Sequence, residues 1–402
     1  MELTTDQANA LEAFPYFLTS DRTFFVIEGE SGSGKSTLLS QMIKKLKSYN
    51  KARKLVSPDC WDFEFKFTAL THKAAEVVAE VVEEECVTLF SFLGFTLSQG
   101  QPVLKRDVDA SSTTVLVVDE ASMMDFQLFS RLEAVAKRTG MKVIIIGDPY
   151  QLTAVKSKFN VFRKMANYPG AEVHRLREIV RQENGSPIIE LSRLFKNVLD
   201  GQDFDHYNPD QLIVQHVPEE QFLQMAIADF TAGNRSKVLA YRNQTVQEYN
   251  LAIHKALANR TLFAPGDYVT ANHFSHTYGI SNNASLIVAS SRPDQLMYSV
   301  KDGQLVIDGQ RVFIKDKEIF VPDNYAKACK LLNKHDLSTE QLMDLRYQYA
   351  CTVNKSQGST YDTVFIDVND IATCTSGETI ARLMYVAVSR ARHRVVLTGD
   401  FA

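Results

Sequence analysis

The sequence predicts an α/β protein of two parallel-sheet halves, the first carrying a small polar insertion and the second interrupted by a β-rich insert. Three observations lead there. Short apolar, largely β-branched runs, Phe24-Phe25-Val26-Ile27, Val115 to Val118 and Val143 to Ile146, alternate with stretches of helical spacing, the pattern of strands covered on both faces by helices. Similar runs return near the C-terminus, at Thr363 to Ile366 and Arg394 to Leu397. Between them, Thr261 to Val321 is strand-dense and holds two Asp-Gly dipeptides, Asp302-Gly303 and Asp308-Gly309, each a hairpin signal when flanked by alternating residues.

A length of 402 residues favours two or three domains at about 150 residues each. An apolar share of 45%, a charged share of 23%, 18 Gly and 11 Pro exclude disordered and collagen-like classes. The 44 Lys and Arg against 48 Asp and Glu leave a net charge of −4, so any nucleic-acid site must be local. The apolar runs are far too short for a membrane span, and Met-Glu-Leu-Thr-Thr-Asp has neither a basic nor an apolar signal region. The expectation is an intracellular soluble protein with no membrane partner. Five cysteines, odd in number and free of C-x-x-C pairs, predict buried thiols rather than disulfides or a zinc module.

In chain order, Phe24 to Ile27 reads as a strand ending in a Gly-rich turn, and Leu38, Leu39, Met42, Ile43 and Leu46 place a helix over Ser36 to Lys47. Phe63, Phe65 and Phe67 alternate as in a half-buried strand, with helical composition from Thr71 and again over Phe126 to Lys137. Residues 1–178 therefore read as a doubly wound α/β domain, with a polar hairpin excursion at about 97–111. A second α/β domain is expected over 179–260 and 345–402, with Val238 to Tyr241 as a buried strand. The insert, 261–344, reads as a small antiparallel barrel or meander with Asp308-Gly309 as one of its turns, followed by a helical connector from Tyr325 to Tyr349.

Gly29-Glu30-Ser31-Gly32-Ser33-Gly34-Lys35-Ser36-Thr37 satisfies G-x-x-x-x-G-K-[ST] directly after a strand and opening a helix. Glycines let backbone N–H groups turn onto phosphates, Lys35 reaches the β and γ phosphates, and Ser36 offers a hydroxyl to Mg²⁺ at the positive end of the helix. Asp119 and Glu120 follow a buried strand, where open parallel sheets bind ligands. Alone such a pair is usually a solvated turn; with the phosphate loop upstream, Asp119 suits Mg²⁺ and Glu120 suits activation of water. Gln151, in Gly147-Asp148-Pro149-Tyr150-Gln151-Leu152, is placed to sense a γ-phosphate or is an ordinary strand-end turn. Arg181 and Arg390 are the candidate cations for the far side of the phosphoryl group, or surface charges.

The ordered set of motifs resembles the superfamily 1 helicases, in the RecD-like and phage Dda-like branch. Leu3 to Gln7 is similar to the adenine-reading segment, with Gln7 as its key residue, and Gly29 to Thr37 to Walker A. Thr71-His72-Lys73-Ala74-Ala75 and Thr88 to Leu93 resemble DNA-contacting motifs, Val118 to Met123 Walker B, and Gly147 to Leu152 motif III. Arg181-Gln182 resembles a first arginine finger, Ala240 to Asn243 a further DNA motif, Thr352 to Thr360 motif V with Gln357 and Gly358, and Leu383 to Arg392 motif VI with Arg390 as second finger. The resemblance spans nearly the whole chain. It implies two RecA-like P-loop NTPase domains with ATP and Mg²⁺ in the cleft between them, the hairpin as a duplex-splitting pin, and an SH3-like insert in the second domain. It further implies 5′-to-3′ unwinding of forked or tailed DNA in replication, repair or recombination, by a monomer in the cytoplasm of a bacterial cell, phage-encoded chains included, with replication or recombination proteins as candidate partners.

Two positions depart from the pattern: Asn354 stands where motif V usually has His, keeping a donor but losing charge and stacking, and Asn282-Asn283-Ala284 replaces a usual Asn-Gly. Stacking on single-stranded DNA is assigned to Phe90 and Phe92, worth about 1–3 kcal/mol per base. An extended segment would put both on one face, whereas a helical one would send one of them to the core. Thr71, His72, Asn243, Thr352, Asn354 and Lys355 are the polar donors for phosphates. Two other classes fit parts of the sequence: a P-loop kinase of a small metabolite, and an ATP-gated DNA-remodelling protein that holds a strand without processive unwinding.

Overall fold

A computed structural model describes residues 3–98, 101–154, 157, 159–178, 186–204, 207, 212–258, 262–273, 275, 277–280, 284–300 and 303–400. The chain forms two compact units, one of residues 1–208, 357–360 and 375–392, the other of residues 209–356, 361–374 and 393–402.

The first unit is built in order from α1 (Thr5–Thr19), β1 (Phe24–Gly29), α2 (Lys35–Val56), β2 (Glu64–Ala69), α3 (His72–Val82), β3 (Cys86–Thr88), α4 (Leu89–Phe92), β4 (Phe95–Ser98), β5 (Gln101–Leu104), β6 (Thr114–Asp119), α5 (Phe126–Thr139), β7 (Lys142–Gly147), α6 (Val161–Met165), β8 (Ala171–Leu176) and α7 (Pro187–Leu199). Its parallel sheet has the order β3-β2-β6-β7-β1-β8. Alternate residues of the central strands feed two cores. Phe25, Ile27, Val115, Val117, Ile144 and Ile146 meet Phe14 and Phe17 of α1 and Leu38, Leu39 and Met42 of α2. Phe24, Val26, Leu116, Val118, Val143 and Ile145 meet Phe129 and Leu132 of α5 and Phe162 of α6. Full burial of side chains this large contributes about 1.5–3 kcal/mol each, and the continuous apolar runs are thereby explained: both faces of these strands are covered. The α/β class with parallel sheets is thus as expected.

The polar excursion is the antiparallel pair β4 and β5, with Phe95 opposite Leu104. Gly94 closes its base at φ +83°, where a Cβ would lie 2.1 Å from the carbonyl oxygen of Arg106. Only glycine fits that crossing.

The second unit comprises β9 (Val214–His216), α8 (Glu219–Thr231), β10 (Ser236–Ala240), α9 (Asn243–Ala258), β11 (Tyr268–Ala271), β12 (Ser285–Ile287), β13 (Ser290–Val300), β14 (Gly303–Ile314), β15 (Lys317–Pro322), α10 (Tyr325–Lys334), β16 (Leu345–Tyr347), β17 (Ala350–Thr352), α11 (Val353–Ser356), β18 (Tyr361–Asp367), α12 (Val368–Ala372) and β19 (Ala391–Thr398). A five-stranded sheet runs β17-β10-β18-β19-β9, and two three-stranded sheets run β12-β11-β16 and β13-β14-β15. The last helix, α13 (Gly377–Ser389), belongs to the first unit, where it packs on α7.

Two local expectations are corrected. Asp308-Gly309 is not a turn: both residues lie inside β14, with Gly309 between Asp294 and Pro322. A Cβ on Gly309 would sit 2.4 Å from the Val321 carbonyl oxygen, so this glycine admits a close strand approach. The helical connector ends at Lys334, and Leu345 and Tyr347 alternate inward on β16, which pairs with β11. Period-two burial overrides helical composition there. The Asn282-Asn283 departure lies outside the described residues. None of the five cysteines forms a disulfide, and all are half-buried rather than fully buried; among the described residues no helix is long and apolar enough to cross a membrane.

Candidate nucleotide and nucleic-acid sites

The strand β1 delivers Gly29 to the phosphate loop, and α2 begins at Lys35. Gly32 and Gly34 take φ +87° and +79°, left-handed values that glycine adopts without a Cβ clash. A Cβ on Gly29 would meet the Ser33 hydroxyl at 2.4 Å. The Lys35 ammonium donates to the carbonyl oxygens of Gly29 and Glu30 at 2.6 and 2.9 Å. Gln7, buried on α1, braces the loop: its Nε2 donates to the Ser33 carbonyl oxygen at 3.0 Å, and its Oε1 accepts from the Thr4 N–H at 3.0 Å. Both ends of this amide are therefore engaged, in a capping box that the Thr4-x-x-Gln7 spacing already signals.

The loop opens on a cavity of about 400 Å³ lined by Gln7, Gly32, Gly34, Lys35, Ser36, Thr37, Asp119, Glu120, Gln151, Gly358 and Arg390. Asp119 ends β6, and Glu120 follows at φ +52°, an unusual value for a non-glycine residue. Burial raises the Asp119 carboxyl above its ordinary range, opposed by the Glu120 backbone N–H and the Lys35 charge. Burial raises Glu120 too, the Asp119 charge adds to the rise, and Arg390 and Lys35 oppose it. The Glu120 Oε2 and the Ser33 hydroxyl are buried with no hydrogen-bond partner. Such atoms call for a polar occupant. A triphosphate with a divalent cation fits this donor set: Ser36 and Asp119 share the cavity, and a cation held by one hydroxyl and one carboxylate would take its remaining oxygens from phosphates and water.

Residues that sequence reasoning missed hold the Gly147 to Leu152 segment. Asp148 is fully buried and accepts from the Tyr385 hydroxyl at 2.7 Å and the Tyr150 N–H at 3.0 Å. Arg382, also on α13, donates from one Nη1 to the carbonyl oxygens of Pro149 and Gln151, both at 2.9 Å, and from Nε and Nη2 to Glu378. An arginine inside the apolar run Ala381 to Val388 was the available signal. Gln151 is buried, and its Oε1 accepts from the Gln357 Nε2 at 3.4 Å. Arg390 is 3% exposed and donates to the carbonyl oxygens of Val386 and Ser359 and to the Ser389 hydroxyl. Arg382→Ala leaves the buried Gln151 carbonyl without its donor, at a cost of about 1–3 kcal/mol. Urea unfolding is expected to show that loss, and kcat to fall with it as Gln151 loosens; unaltered stability and turnover would remove Arg382 from this role. Arg181 lies outside the described residues.

The nucleic-acid candidates fall into two sets. In the first unit, Thr71 caps α3, its hydroxyl accepting from the Ala74 N–H at 3.2 Å, and His72 is exposed. The Phe90-Phe92 segment is the short helix α4, so the two rings diverge: Phe92 packs on the core, while Phe90 stacks on Phe95 with centroids 5.2 Å apart. In the second unit, Thr352 is buried and its hydroxyl accepts from the Lys355 N–H at 3.4 Å; Asn354 is half-buried. Asn243 opens α9, and its Oδ1 accepts from Arg346 at 3.1 Å. The Lys355 ammonium donates to Asn272, and burial and the neighbouring Arg346 lower its pKa. Asn272, Asp344 and Arg346 were not expected in this set.

The AAA domain family matches residues 2–216, and the UvrD-like helicase C-terminal domain matches residues 347–398. The ATP-dependent DNA helicase PIF1 of Emericella nidulans is 35% identical over 150 residues, 33% of this chain and 18% of its own length. The RecBCD enzyme subunit RecD of Mycobacterium tuberculosis is 24% identical, over 94% of this chain and 67% of its own. The ATP-dependent DNA helicase dda of Enterobacteria phage T4 is 22% identical, over 64% and 57%. The match spans less than a fifth of either fungal PIF1 helicase, 18% and 14%. The crystal structure of Pif1 from Candida albicans aligns over 100% of this chain and 95% of that one, with 18% identity and a TM-score of 0.48. With a phosphate loop, a strand-end acidic pair and both family matches in place, the chain belongs to the AAA domain family, within the superfamily 1 helicases.

Proposed function

We propose that this protein is an ATP-driven DNA helicase, hydrolysing ATP at the Lys35 cavity to move 5′-to-3′ along single-stranded DNA and open forked or tailed duplexes. The observation that carries the reading is that Arg390, from the C-terminal part of the chain, lines the same cavity as the phosphate loop, Asp119, Glu120 and Gln151. Binding alone does not need that guanidinium; charge developing on a transferring phosphoryl group does. The relatives named as ATP-dependent DNA helicases support the substrate class.

In this reading the backbone from Gly29 to Gly34, with Lys35 and Thr37, holds the phosphates, Glu120 takes a proton from the attacking water, and Gln151 orients that water. Arg390, with Arg181, stabilises the transferring group, while Gln7, Gln357 and Gly358 support the nucleotide. Ser36 and Asp119 would hold Mg²⁺, which neutralises phosphate charge when bound. Residues 1–178 serve as the first RecA-like domain, 179–260 with 345–402 as the second, the hairpin as the pin and 261–344 as an SH3-like insert. Thr71, His72, Phe90, Phe92, Asn243, Thr352, Asn354 and Lys355 contact the strand. The protein works as a monomer in a bacterial cytoplasm.

ATP turnover with and without a single-stranded oligonucleotide, and strand separation on duplexes with a 5′ or a 3′ tail, test this. Stimulation by DNA and separation from the 5′ tail are expected. Turnover indifferent to DNA would favour a small-molecule kinase, and stimulation without separation a remodelling protein.

A further inference from the structure

In the second unit a single buried carboxylate controls the orientation of two predicted phosphate donors. Asp344 is 7% exposed and sits just before β16. Its Oδ2 accepts from the Asn272 Nδ2 at 2.7 Å and the Arg346 Nη2 at 2.8 Å, and its Oδ1 accepts from the Arg346 Nε at 3.1 Å. Each arm ends on a donor. Arg346 uses its remaining Nη1 to reach the Asn243 Oδ1 at 3.1 Å. An amide whose oxygen is fixed in this way must turn its NH₂ the other way, so the Asn243 Nδ2 is left to donate. On the other arm, Asp344 holds the Asn272 Nδ2, which turns the Asn272 Oδ1 toward the Lys355 ammonium. That bond uses one of the three ammonium protons and leaves two.

We propose that Asp344, acting through Arg346 and Asn272, is a positioning residue that presents the Asn243 amide and the Lys355 ammonium to the phosphodiester backbone of a bound strand. The inference rests on the DNA reading above. Its energetic logic is pre-organisation: donors already fixed in place lose less freedom when a phosphate arrives. Asp344 also stands between two cations, Arg346 and Lys355, whose mutual repulsion would otherwise splay them. Arg346 is only 18% exposed, so the fork has little room to reorient.

The test is binding of a labelled single-stranded oligothymidine, followed by fluorescence anisotropy at several salt concentrations. Asp344→Asn removes a negative charge, and long-range electrostatics alone would then make the strand bind more tightly. Positioning gives the opposite sign: Kd rises by about tenfold or more, the size of a lost charge-assisted hydrogen bond, and the salt slope becomes shallower by about one phosphate contact. Arg346→Gln gives the same weakening from the more accessible arm, should Asp344→Asn fail to fold. Arg346→Lys, which keeps charge but loses the fork, fails to restore affinity. With Lys355→Gln in the background, Asp344→Asn has a smaller effect than in the wild type, because the two act in series. Wild-type binding with equal or tighter Kd in a folded Asp344→Asn, or, should that variant not fold, in Arg346→Gln, overturns this inference alone; a wild type that does not bind the oligothymidine overturns the DNA reading, and the positioning role with it.

Discussion

Lys35→Ala is expected to lower ATP turnover by a factor on the order of 10³ or more while the protein stays folded. The ammonium rests on the carbonyl oxygens of Gly29 and Glu30, and Lys35 belongs to neither apolar core of the first unit. Its loss therefore removes charge from the cavity without opening a void in the packing. A second effect has the same sign. Lys35 holds down the raised carboxyls of Asp119 and Glu120; without it both keep their protons to higher pH, and a protonated Glu120 cannot accept one from water. Phosphate release at saturating ATP, alongside circular dichroism of the variant, reads both parts. Sustained turnover in Lys35→Ala would remove the phosphate-loop assignment, and a collapsed spectrum would make Lys35 structural.

Arg390→Ala is expected to keep ATP binding and to lower kcat by about 10³ or more, the range for arginines that stabilise a transferring phosphoryl group. The Val386 and Ser359 carbonyls and the Ser389 hydroxyl hold the guanidinium in place with three of its five N–H donors, which leaves two for a phosphoryl group. Arg390→Lys keeps the charge but not the planar fork and stays impaired. The pH profile carries the second signature. In the proposed role Glu120 must be ionised to act as a base, and its raised pKa is expected to place the acid limb above that of an ordinary carboxylate. Because Arg390 opposes that rise, its removal moves the acid limb of kcat further up in pH. A kcat unchanged across the pH range would make Arg390 a structural residue of the α13 terminus.

The residues that line the candidate nucleotide cavity were largely legible in the sequence because their spacing is local. Gly29 to Thr37 is one continuous segment whose glycine spacing is itself the geometric requirement, and Asp119-Glu120 follows a strand recognisable by its apolar run. Asp308-Gly309 failed as a turn because a dipeptide reports what the backbone can do and not which neighbouring strand comes close to it. Phe90 and Phe92 were ambiguous for a related reason: two residues apart means one face in a strand and opposed directions in a helix, and only the fold of α4 chose between them.

The amino-acid order alone determined the parallel-sheet α/β class, the phosphate loop and the acidic pair, since periodicity and glycine placement act over a few residues. Tertiary structure decided what those features meet: Arg382 and Tyr385 against the Asp148 to Gln151 turn, Arg390 beside Glu120, and Asp344 between Asn272 and Arg346. The contacts of Arg382, Tyr385 and Arg390 cross more than two hundred residues and Asp344–Asn272 crosses 72, so local spacing does not encode them; only Asp344–Arg346, two residues apart, is a neighbour in sequence. They exist because buried polar groups must find partners, and only the folded chain brings those partners within reach.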